Sequence, residues 1–342
     1  MSTPLKPGPL VTVVVPAFNA GPYVGETLRS VLGQTHQNLD VIMVDDGSSD
    51  DTIAQARAFS DPRLRVLEQP NRGACAARNR ALVEARGDYL QYLDADDLLS
   101  PSKIERQLAL LQASPDGCVS VSGTVYFEDG TDPESGRDSP GYPGLDSDDP
   151  VQWLLDLWTP GPAGYGPKRW GMAPTHAWLV PRAVAEAAGP WDPAIAQDQD
   201  GEYFARVALA SVGVRWEPEG RAYYRKFPHD DSVSRGRSER HLRGRLRAIN
   251  SKARHVLPRA TEDSRHQAFA ALARQYRDVA FHAYPTYPNV VREAEWRAAR
   301  LGGYDMTFHH GTRLRHVERL AGWKAAKRIS HSYRAFRGRL AP

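Results

Sequence analysis

Five short apolar runs alternate with amphipathic stretches through the first 125 residues, and this alternation constrains the fold more than any other feature. The runs are LVTVVV (10–15), LDVIMV (39–44), RLRVL (63–67), DYLQYL (88–93) and CVSVSG (118–123), and helical patterns begin between them near Tyr23, Asp51, Ala74 and Pro101. Such alternation is typical of βαβ units in an open, mostly parallel sheet. We therefore expect an α/β fold that binds its ligand at the carboxyl ends of the strands.

Polar or conformationally special residues follow four of these runs, in the segments PAFNA (16–20), DDGSSD (45–50), QPNRG (69–73) and DADD (94–97). The last segment crowds three carboxylates into four positions, which costs energy unless a positive charge lies among them. A hard divalent cation bound through oxygen is the usual solution. The cluster predicts a site for a metal-bound phosphate, although one of its carboxylates could cap the helix that starts near Pro101.

The second part of the chain is rich in tryptophan. Trp153, Trp158, Trp170, Trp178 and Trp191 lie within 39 residues. We expect most of them in the core, and the remainder could form a surface on which a sugar ring stacks. A helical pattern follows from about Asp200 to Ala210, then short strands near Val214 and Ala222, and the chain is helical from about Glu239 onward.

The charge is divided unevenly along the chain. Residues 240–342 carry 22 Lys and Arg against 7 Asp and Glu, whereas residues 1–239 carry 22 against 34. An acidic part that binds a phosphate needs a metal to reconcile the charges, and a basic part suggests an anionic partner. The tail from 311 to 342 could lie on an anionic membrane, or it could pack on its own domain or on a neighbouring subunit.

Composition and the beginning of the sequence bear on location. No run of 18 or more apolar residues occurs, and MSTPLKPGPL lacks the charged and apolar blocks of a signal peptide. We expect a cytoplasmic protein that could be peripheral on the inner face of the membrane. The acidity of residues 1–239 argues against a nucleic-acid partner, and self-association is left open.

Four motifs closely resemble the inverting nucleotide-sugar glycosyltransferases of family 2, which have the GT-A fold. They are VTVVVPAFNAGPYVGETLRSVLGQT, VIMVDDGSSDDT, NRGACAARNRAL and GDYLQYLDADDLLSP, in the order and spacing of that family. The resemblance is close over about residues 10–101, recognisable to about 235 and absent in the tail. It implies a nucleotide-sugar-binding half (1–125), an acceptor-binding half (126–238) and a basic helical extension (239–342).

The resemblance also implies a set of nucleotide-sugar contacts. One aspartate of DDGSSD should contact the base, and Asp46 is favoured over Asp45, although an Asx-type turn explains the same segment. Arg78 could reach the nucleotide or pair with Asp45 or Asp46. The full set is Pro16, Ala17, Phe18, Asn19, Asp45, Asp46, Arg78, Asn79, Asp94, Ala95 and Asp96.

The remaining roles follow the same resemblance. DAD matches the DxD element, so Asp96 should hold Mn²⁺ or Mg²⁺ with Asp94, and Asp97 and His229 are further metal candidates. The segment that begins at Gly189 matches the region of the general base, where Gln199 replaces the commoner Glu. Asp200 is the first candidate for the base, Asp198 the second and Glu202 the third. Asp198 or Asp200 could instead be only a helix N-cap. Weaker candidates for contact with acceptor or diphosphate are His176, Trp178, Trp191, Ser232 and Ser234.

These expectations define one function. The chain should move a sugar, such as the hexose of a UDP-hexose, from a nucleotide sugar to a hydroxyl of a carbohydrate or lipid-linked acceptor, with inversion. The alternatives are a non-catalytic nucleotide-sugar-binding protein and a nucleotidyltransferase. A nucleotidyltransferase normally has a basic, Gly-rich phosphate loop after the first strand, whereas the segment PAFNAGP at that position has neither Lys nor Arg.

Overall fold

The structure is a computed structural model that describes residues 8–139, 146–159, 173–227, 236–302 and 312–338, with side chains in the last range described for 316–330. One mixed sheet forms its centre, flanked by helices, and a group of helices follows it. The strands are β1 (Val11–Ala17), β2 (Leu39–Asp45), β3 (Leu64–Glu68), β4 (Tyr89–Tyr92), β5 (Leu98–Leu99), β6 (Val119–Glu128), β7 (Arg137–Asp138), β8 (Trp178–Pro181) and β9 (Val214–Lys226).

The helices alternate with the strands and then continue alone. They are α1 (Gly21–Leu32), α2 (Thr52–Arg57), α3 (Ala74–Glu84), α4 (Lys103–Gln112), α5 (Pro150–Trp158), α6 (Arg182–Ala188), α7 (Gln199–Ala210), α8 (Glu239–Val256), α9 (Glu262–Ala283), α10 (Pro288–Arg300) and α11 (Thr312–Gly338). The βαβ alternation predicted for the first 125 residues is confirmed, as is the helical region from Glu239.

The first half of the sheet is parallel, as the sequence predicts. Its strand order β3-β2-β1-β4 places β1 at the centre, with Val14 opposite Ile42 of β2 and Tyr92 of β4. Residues of β1 and β2 are completely buried by helices on both faces, which is why these strands are continuous apolar runs. Because β1, β2 and β4 run in register, the loops after them meet at one edge.

The second half of the sheet is mixed. Strand β8 runs antiparallel to both β4 and β6, while β9 runs parallel to β6. The two short strands expected near Val214 and Ala222 are one 13-residue strand, whose register shifts opposite Ser122 and Thr124. The predicted division at residue 125 falls inside β6, so the sheet continues across it; the division into functional halves stays a prediction.

The helices after β9 pack on the sheet domain and on each other. Helix α11 is interrupted at Gly322, where φ is 77°. After this break Ala326 is fully buried, Trp323 lies against Tyr284, and Lys324 pairs with Glu295 at 2.8 Å. This part of the tail thus packs on its own domain, one of the two alternatives above. No helix in the described ranges has the length and apolar character needed to cross a membrane.

Candidate active site

A cleft of about 840 Å³, here called the main cleft, lies at the carboxyl ends of β1 and β4. It is lined on one side by the loops after these strands and on another by the beginning of α7. Of the residues predicted to form the site, those that line it are Pro16, Phe18, Asn19, Arg78, Asp94, Ala95, Asp96, Asp97, Asp198 and Asp200.

The loop after β1 forms one wall of the main cleft. Asn19 has φ 49°, and its side-chain oxygen accepts a hydrogen bond from the Ser49 N–H at 2.9 Å, which ties this loop to the one after β2. The Phe18 ring is 51% exposed. Ala17 is buried, and its carbonyl oxygen accepts a hydrogen bond from Asp46 N–H. We correct its assignment: Ala17 supports the wall and does not line the cleft.

The two aspartates after β2 lie behind the cleft wall. Asp45 accepts hydrogen bonds from the N–H groups of Gly47 (3.1 Å) and Ser48 (3.0 Å), which is the Asx-type turn that the sequence left open. Asp46 accepts bonds from Gln69 and from the N–H groups of Arg72 and Gly73 at 2.7–2.9 Å. Neither lines the main cleft. Asp46 thus shapes the loop that lines the cleft, and its contact with a base stays a prediction.

Arg78 connects the two acidic sides of the main cleft. Its side chain is 6% exposed, and its guanidinium pairs with Asp94 at 2.6 Å. The same group is 3.4 Å from the Gln199 side-chain oxygen, at the start of α7, and lies over the Trp191 ring. The alternative in which Arg78 pairs with Asp45 or Asp46 is therefore wrong, since Arg78 pairs with the DxD segment; its contact with a nucleotide stays a prediction.

Asp96 is the carboxylate of the DxD segment with the most unusual environment. Burial, together with the nearby charges of Asp97 and Asp94, raises the pKa of Asp96 to about 8. Three carboxylates share this end of β4. Among the described residues, Arg78 is the only arginine or lysine whose side chain contacts one of their carboxylate oxygens, that of Asp94. A proton or a metal ion at Asp96 would relieve the repulsion.

Asp97 and His176 form a buried pair. The Asp97 carboxylate accepts a hydrogen bond from the Arg225 N–H at 2.8 Å, and its other oxygen is 2.9 Å from His176 Nδ1. Their side chains are 3% and 1% exposed. Because both oxygens of Asp97 are engaged, we correct its assignment as a metal ligand. We also correct His176, which is buried and does not line the cleft: its contact with Asp97 anchors the segment before β8 to the DxD loop. The Arg225 N–H anchors β9 to the same carboxylate.

The three candidates for the general base differ sharply. Asp200 lines the main cleft, and its oxygen accepts a bond from the adjacent Gly201 N–H at 2.9 Å. Burial and the charge of Asp198 raise the pKa of Asp200. Asp198 also lines the cleft, but it pairs with Lys252 at 2.6 Å. Neither forms a side-chain cap of α7.

Glu202 points away from the main cleft. Its side chain is 3% exposed and pairs with Arg206 at 2.7 Å, while Ser251 donates a hydrogen bond to it at 2.6 Å. A helical position two residues after Asp200 faces a different side of α7, so spacing alone could not decide its role. We therefore correct Glu202 from a candidate base to a residue that fixes α7 against α8.

The acidic side of the cleft fits a divalent cation that takes most of its ligands from substrate phosphates and water. In the described residues, no three His, Cys, Asp or Glu side chains are arranged to hold a metal ion. Asp96 has a raised pKa and Asp94 is 35% exposed, so these two could supply one or two oxygens. Mg²⁺ is commonly held by one or two carboxylates together with substrate phosphates and water. The residues thus fit Mn²⁺ or Mg²⁺ in the presence of a diphosphate.

Three other candidates do not line the main cleft. Asn79 exchanges two 2.8 Å hydrogen bonds with the backbone of Trp191, so it clamps the segment before α7 onto α3. The Trp191 ring stacks on Tyr203, and the Trp178 ring stacks on Phe204. Both tryptophans are 1% exposed. We correct these assignments: Asn79 does not contact a nucleotide, and neither indole offers a face to a sugar.

Several residues of the site were not identified from the sequence. Arg225, in β9, donates to the Asp96 carbonyl oxygen and pairs with Glu26 and Asp129, which braces the DxD loop. Lys252 reaches Asp198 from α8, 54 positions away. Only a tertiary contact identifies such residues. His229, Ser232 and Ser234 lie outside the described residues.

Comparison with known proteins agrees with this architecture. The family model described as glycosyl transferase family 2 matches residues 12–187, which is 176 of the 342 residues. The chain belongs to this family.

Two curated bacterial relatives match the first part of the chain. Glycosyltransferase GlyG of Streptococcus pneumoniae is 40% identical over 126 residues, covering 36% of this chain and 41% of GlyG. The putative teichuronic acid biosynthesis glycosyltransferase TuaG of Bacillus subtilis is 38% identical over 126 residues, covering 36% of this chain and 50% of TuaG. The match thus spans half or less of each relative.

A solved structure supports the fold over a longer range. The crystal structure of S. aureus TarS 1–349 in complex with UDP-GlcNAc superposes with a TM-score of 0.59 and covers 86% of this chain and 93% of that one. The sequence identity is 15%, so this similarity establishes the GT-A fold alone.

Proposed function

We propose that this protein is a metal-dependent, inverting glycosyltransferase that moves a hexose from a UDP-sugar to an acceptor hydroxyl. The acceptor is a carbohydrate or a lipid-linked saccharide of a cell-surface polysaccharide or glycolipid pathway. Two neighbours support this choice of chemistry: TarS was crystallised with UDP-GlcNAc, and TuaG is assigned to teichuronic acid biosynthesis. The tail would bring the enzyme to the inner face of the membrane.

The position of Arg78 carries the proposal. One buried guanidinium contacts Asp94 of the DxD segment at 2.6 Å and Gln199 at 3.4 Å, directly before Asp200. The Arg78 guanidinium thus holds two parts of the site together: the segment that would bind a diphosphate and the helix that carries the base. A sugar between them would lie within one cleft that both Asp96 and Asp200 line.

The reaction would be a single displacement. Asp200 accepts the proton of the acceptor hydroxyl, whose oxygen bonds to the anomeric carbon as the bond from that carbon to the diphosphate oxygen breaks on the opposite face. General-base assistance of this kind contributes about 100-fold to 10,000-fold. A divalent cation at Asp96, when bound, supplies positive charge for the departing diphosphate.

Asp200 suits the role of base better than Asp198. The carboxylate of Asp198 is already engaged in an ion pair with Lys252 at 2.6 Å. Burial and the charge of Asp198 raise the pKa of Asp200, which favours proton transfer to its carboxylate. Asp198, whose φ is 68°, instead holds the start of α7 through Lys252.

Calorimetric titration with UDP tests the metal-dependent part of the proposal. We expect UDP to bind the wild type at least about tenfold more tightly with Mn²⁺ than with EDTA. Asp96→Asn should lose this gain, because the amide is a weaker ligand. The exposed Asp116 lies outside the cleft, so Asp116→Asn is the matched control and should retain it. Equal UDP affinity of the wild type in Mn²⁺ and EDTA would contradict the proposal.

A further inference from the structure

A second cleft, of about 670 Å³, lies along one face of α8. Four arginines line it, and their spacing of three, four and seven positions places them on the same side of the helix. The charged residues of the lining are Arg240, Arg243, Arg247, Arg254, Asp192 and Glu293.

This second cleft adjoins the main cleft. Arg240 lines both of them. At Gly244, α8 packs so closely on the preceding loop that a Cβ would lie 2.6 Å from the Ala196 backbone nitrogen. About two turns further along the same helix, Lys252 pairs with Asp198. Helix α8 is therefore fixed against the segment that carries Asp200, and the second cleft leads to the candidate base.

The charge of the second cleft is only partly neutralised. Arg243 pairs with Glu239, and Arg247 pairs with Asp192. Glu293 pairs with Arg297, outside the lining. Arg240 and Arg254 are both exposed, and neither contacts a carboxylate within the described ranges. These two guanidiniums are 14 positions apart, about 21 Å along the helix.

We propose that the second cleft binds the acceptor, and that the acceptor is a glycan chain with carboxylate or phosphate groups. The inference rests on the proposed transferase function. Guanidinium groups bind both kinds of anion through paired N–H donors. The acceptor chain lies along α8 over Arg254 and Arg240, and its terminal hydroxyl enters the main cleft beside Asp200.

Two observations favour an anionic glycan over other ligands. Trp178 and Trp191, which could have stacked on a neutral sugar, are buried in the core. The described residues that line the second cleft include no aromatic side chain. Single-stranded nucleic acid binding normally combines positive charge with aromatic stacking. Charge recognition without stacking fits a flexible, charged saccharide chain.

Direct binding of labelled oligosaccharides tests the inference without turnover. The probes for fluorescence anisotropy are a hyaluronan hexasaccharide (carboxylate), a glycerol phosphate hexamer (phosphate) and a neutral dextran hexasaccharide. We expect the wild type to bind at least one anionic probe at least about tenfold more tightly than the neutral one. The hyaluronan and glycerol phosphate results show which anion is preferred.

Variants then locate the site. Arg240→Gln and Arg254→Gln should each weaken anionic binding about tenfold, since each removes a charge-assisted hydrogen bond without breaking an internal ion pair. Arg265→Gln removes the same charge from an exposed position of α9 outside both clefts, and it should bind like the wild type. Melting temperatures confirm that the variants are folded.

The outcomes separate this inference from the proposed function. Anionic probes that bind no better than dextran, an equal loss in Arg265→Gln, or tighter binding of a single-stranded RNA decamer would each overturn the inference. UDP binding in Mn²⁺, measured on the same wild-type sample, reports on the donor site independently. Retained UDP binding with no preference for anions means that the transferase proposal stands and the acceptor assignment fails.

Discussion

At the scale of single residues, the environment of each carboxylate separates chemistry from support. Asp97 and Glu202 are buried and their carboxylates are held by partners from other elements. Asp96 and Asp200 are partly exposed in the main cleft, and their pKa values are raised. Perturbed carboxylates facing a cleft are typical of functional sites. Asp96 and Asp200 therefore remain the residues on which turnover should depend.

Replacing Asp200 by Asn should separate binding from chemistry. The amide cannot accept the proton, so we expect turnover to fall by about 100-fold to 10,000-fold while UDP affinity stays within about twofold. Consumption of the nucleotide sugar followed by NMR, together with UDP titration, measures both, and Asp116→Asn is again the control. Weakened UDP binding with turnover retained would refute the role of Asp200 as base.

Lys103 gives the fold a defined pH dependence. It is completely buried, donates to the side-chain oxygens of Gln91 and Gln107, and burial lowers its pKa to about 7 from 10.5. From about pH 7 to 10.5 the unfolded chain therefore binds a proton that the folded chain lacks, so this residue makes stability rise with pH in that window.

The Lys103→Met variant tests this dependence. The free energy of unfolding of the wild type should gain up to about 1.4 kcal/mol per pH unit relative to the variant between pH 7 and 9. Denaturant titrations at several pH values measure the difference. Lys324→Met removes a partly exposed lysine and should keep the wild-type slope. Identical slopes for wild type and Lys103→Met would contradict the prediction.

The sequence predicted those site residues that follow strands and missed those placed by tertiary contacts. Asp94 and Asp96 could be placed at the cleft because a carboxylate cluster directly follows an apolar run. Asn79 and Trp191 were misassigned because nothing in their local pattern shows that each is the hydrogen-bond partner of the other across 112 positions. The partner of Arg78 was missed for the same reason.

At the scale of elements, the local sequence pattern predicted helices and strands correctly where no distant pairing partner changed the structure. The sequence predicted two short strands, near Val214 and Ala222. They are one strand, because β9 pairs with β6 on both sides of residues 218–221, across a shift of register. The strand's pairing partner, not its own composition, decided its structure.

The docking of α8 can be tested at Gly244. A methyl group there would meet backbone nitrogens of Ala196 and Gln197 at 2.6 and 3.0 Å, so Gly244→Ala should cost about 1–3 kcal/mol and lower the melting temperature. Gly25→Ala, inside α1, meets only the flexible end of Arg29 at 3.2 Å and should be neutral or slightly stabilising. Differential scanning calorimetry compares the two; equal melting temperatures would show that α8 is not so closely packed.

At the scale of the whole molecule, the two differently charged parts of the sequence correspond to an acidic main cleft and a basic helical region beside it. The tail uses Trp323 and Lys324 to pack on this region, yet Leu320 is 88% and Ile329 50% exposed. Exposed apolar residues among arginines suit an anionic membrane surface.

Vesicle co-sedimentation tests the membrane contact without removing the packed tail. We expect the wild type to pellet with vesicles containing phosphatidylglycerol and the double variant Leu320→Glu/Ile329→Glu to remain in the supernatant. Val212→Glu changes a residue of similar exposure (52%) in the turn before β9 and should pellet normally. If all three proteins pellet equally, these residues of the tail do not bind the membrane.

The most direct test of the proposed function is a crystal structure with Mn²⁺ and a non-hydrolysable UDP-hexose, with data collected at the manganese edge. The proposed function predicts an anomalous peak between Asp96 and the diphosphate, with the Asp200 carboxylate on the side of the anomeric carbon opposite the leaving oxygen. A peak elsewhere, or a sugar that no oxygen of Asp200 faces, would contradict it.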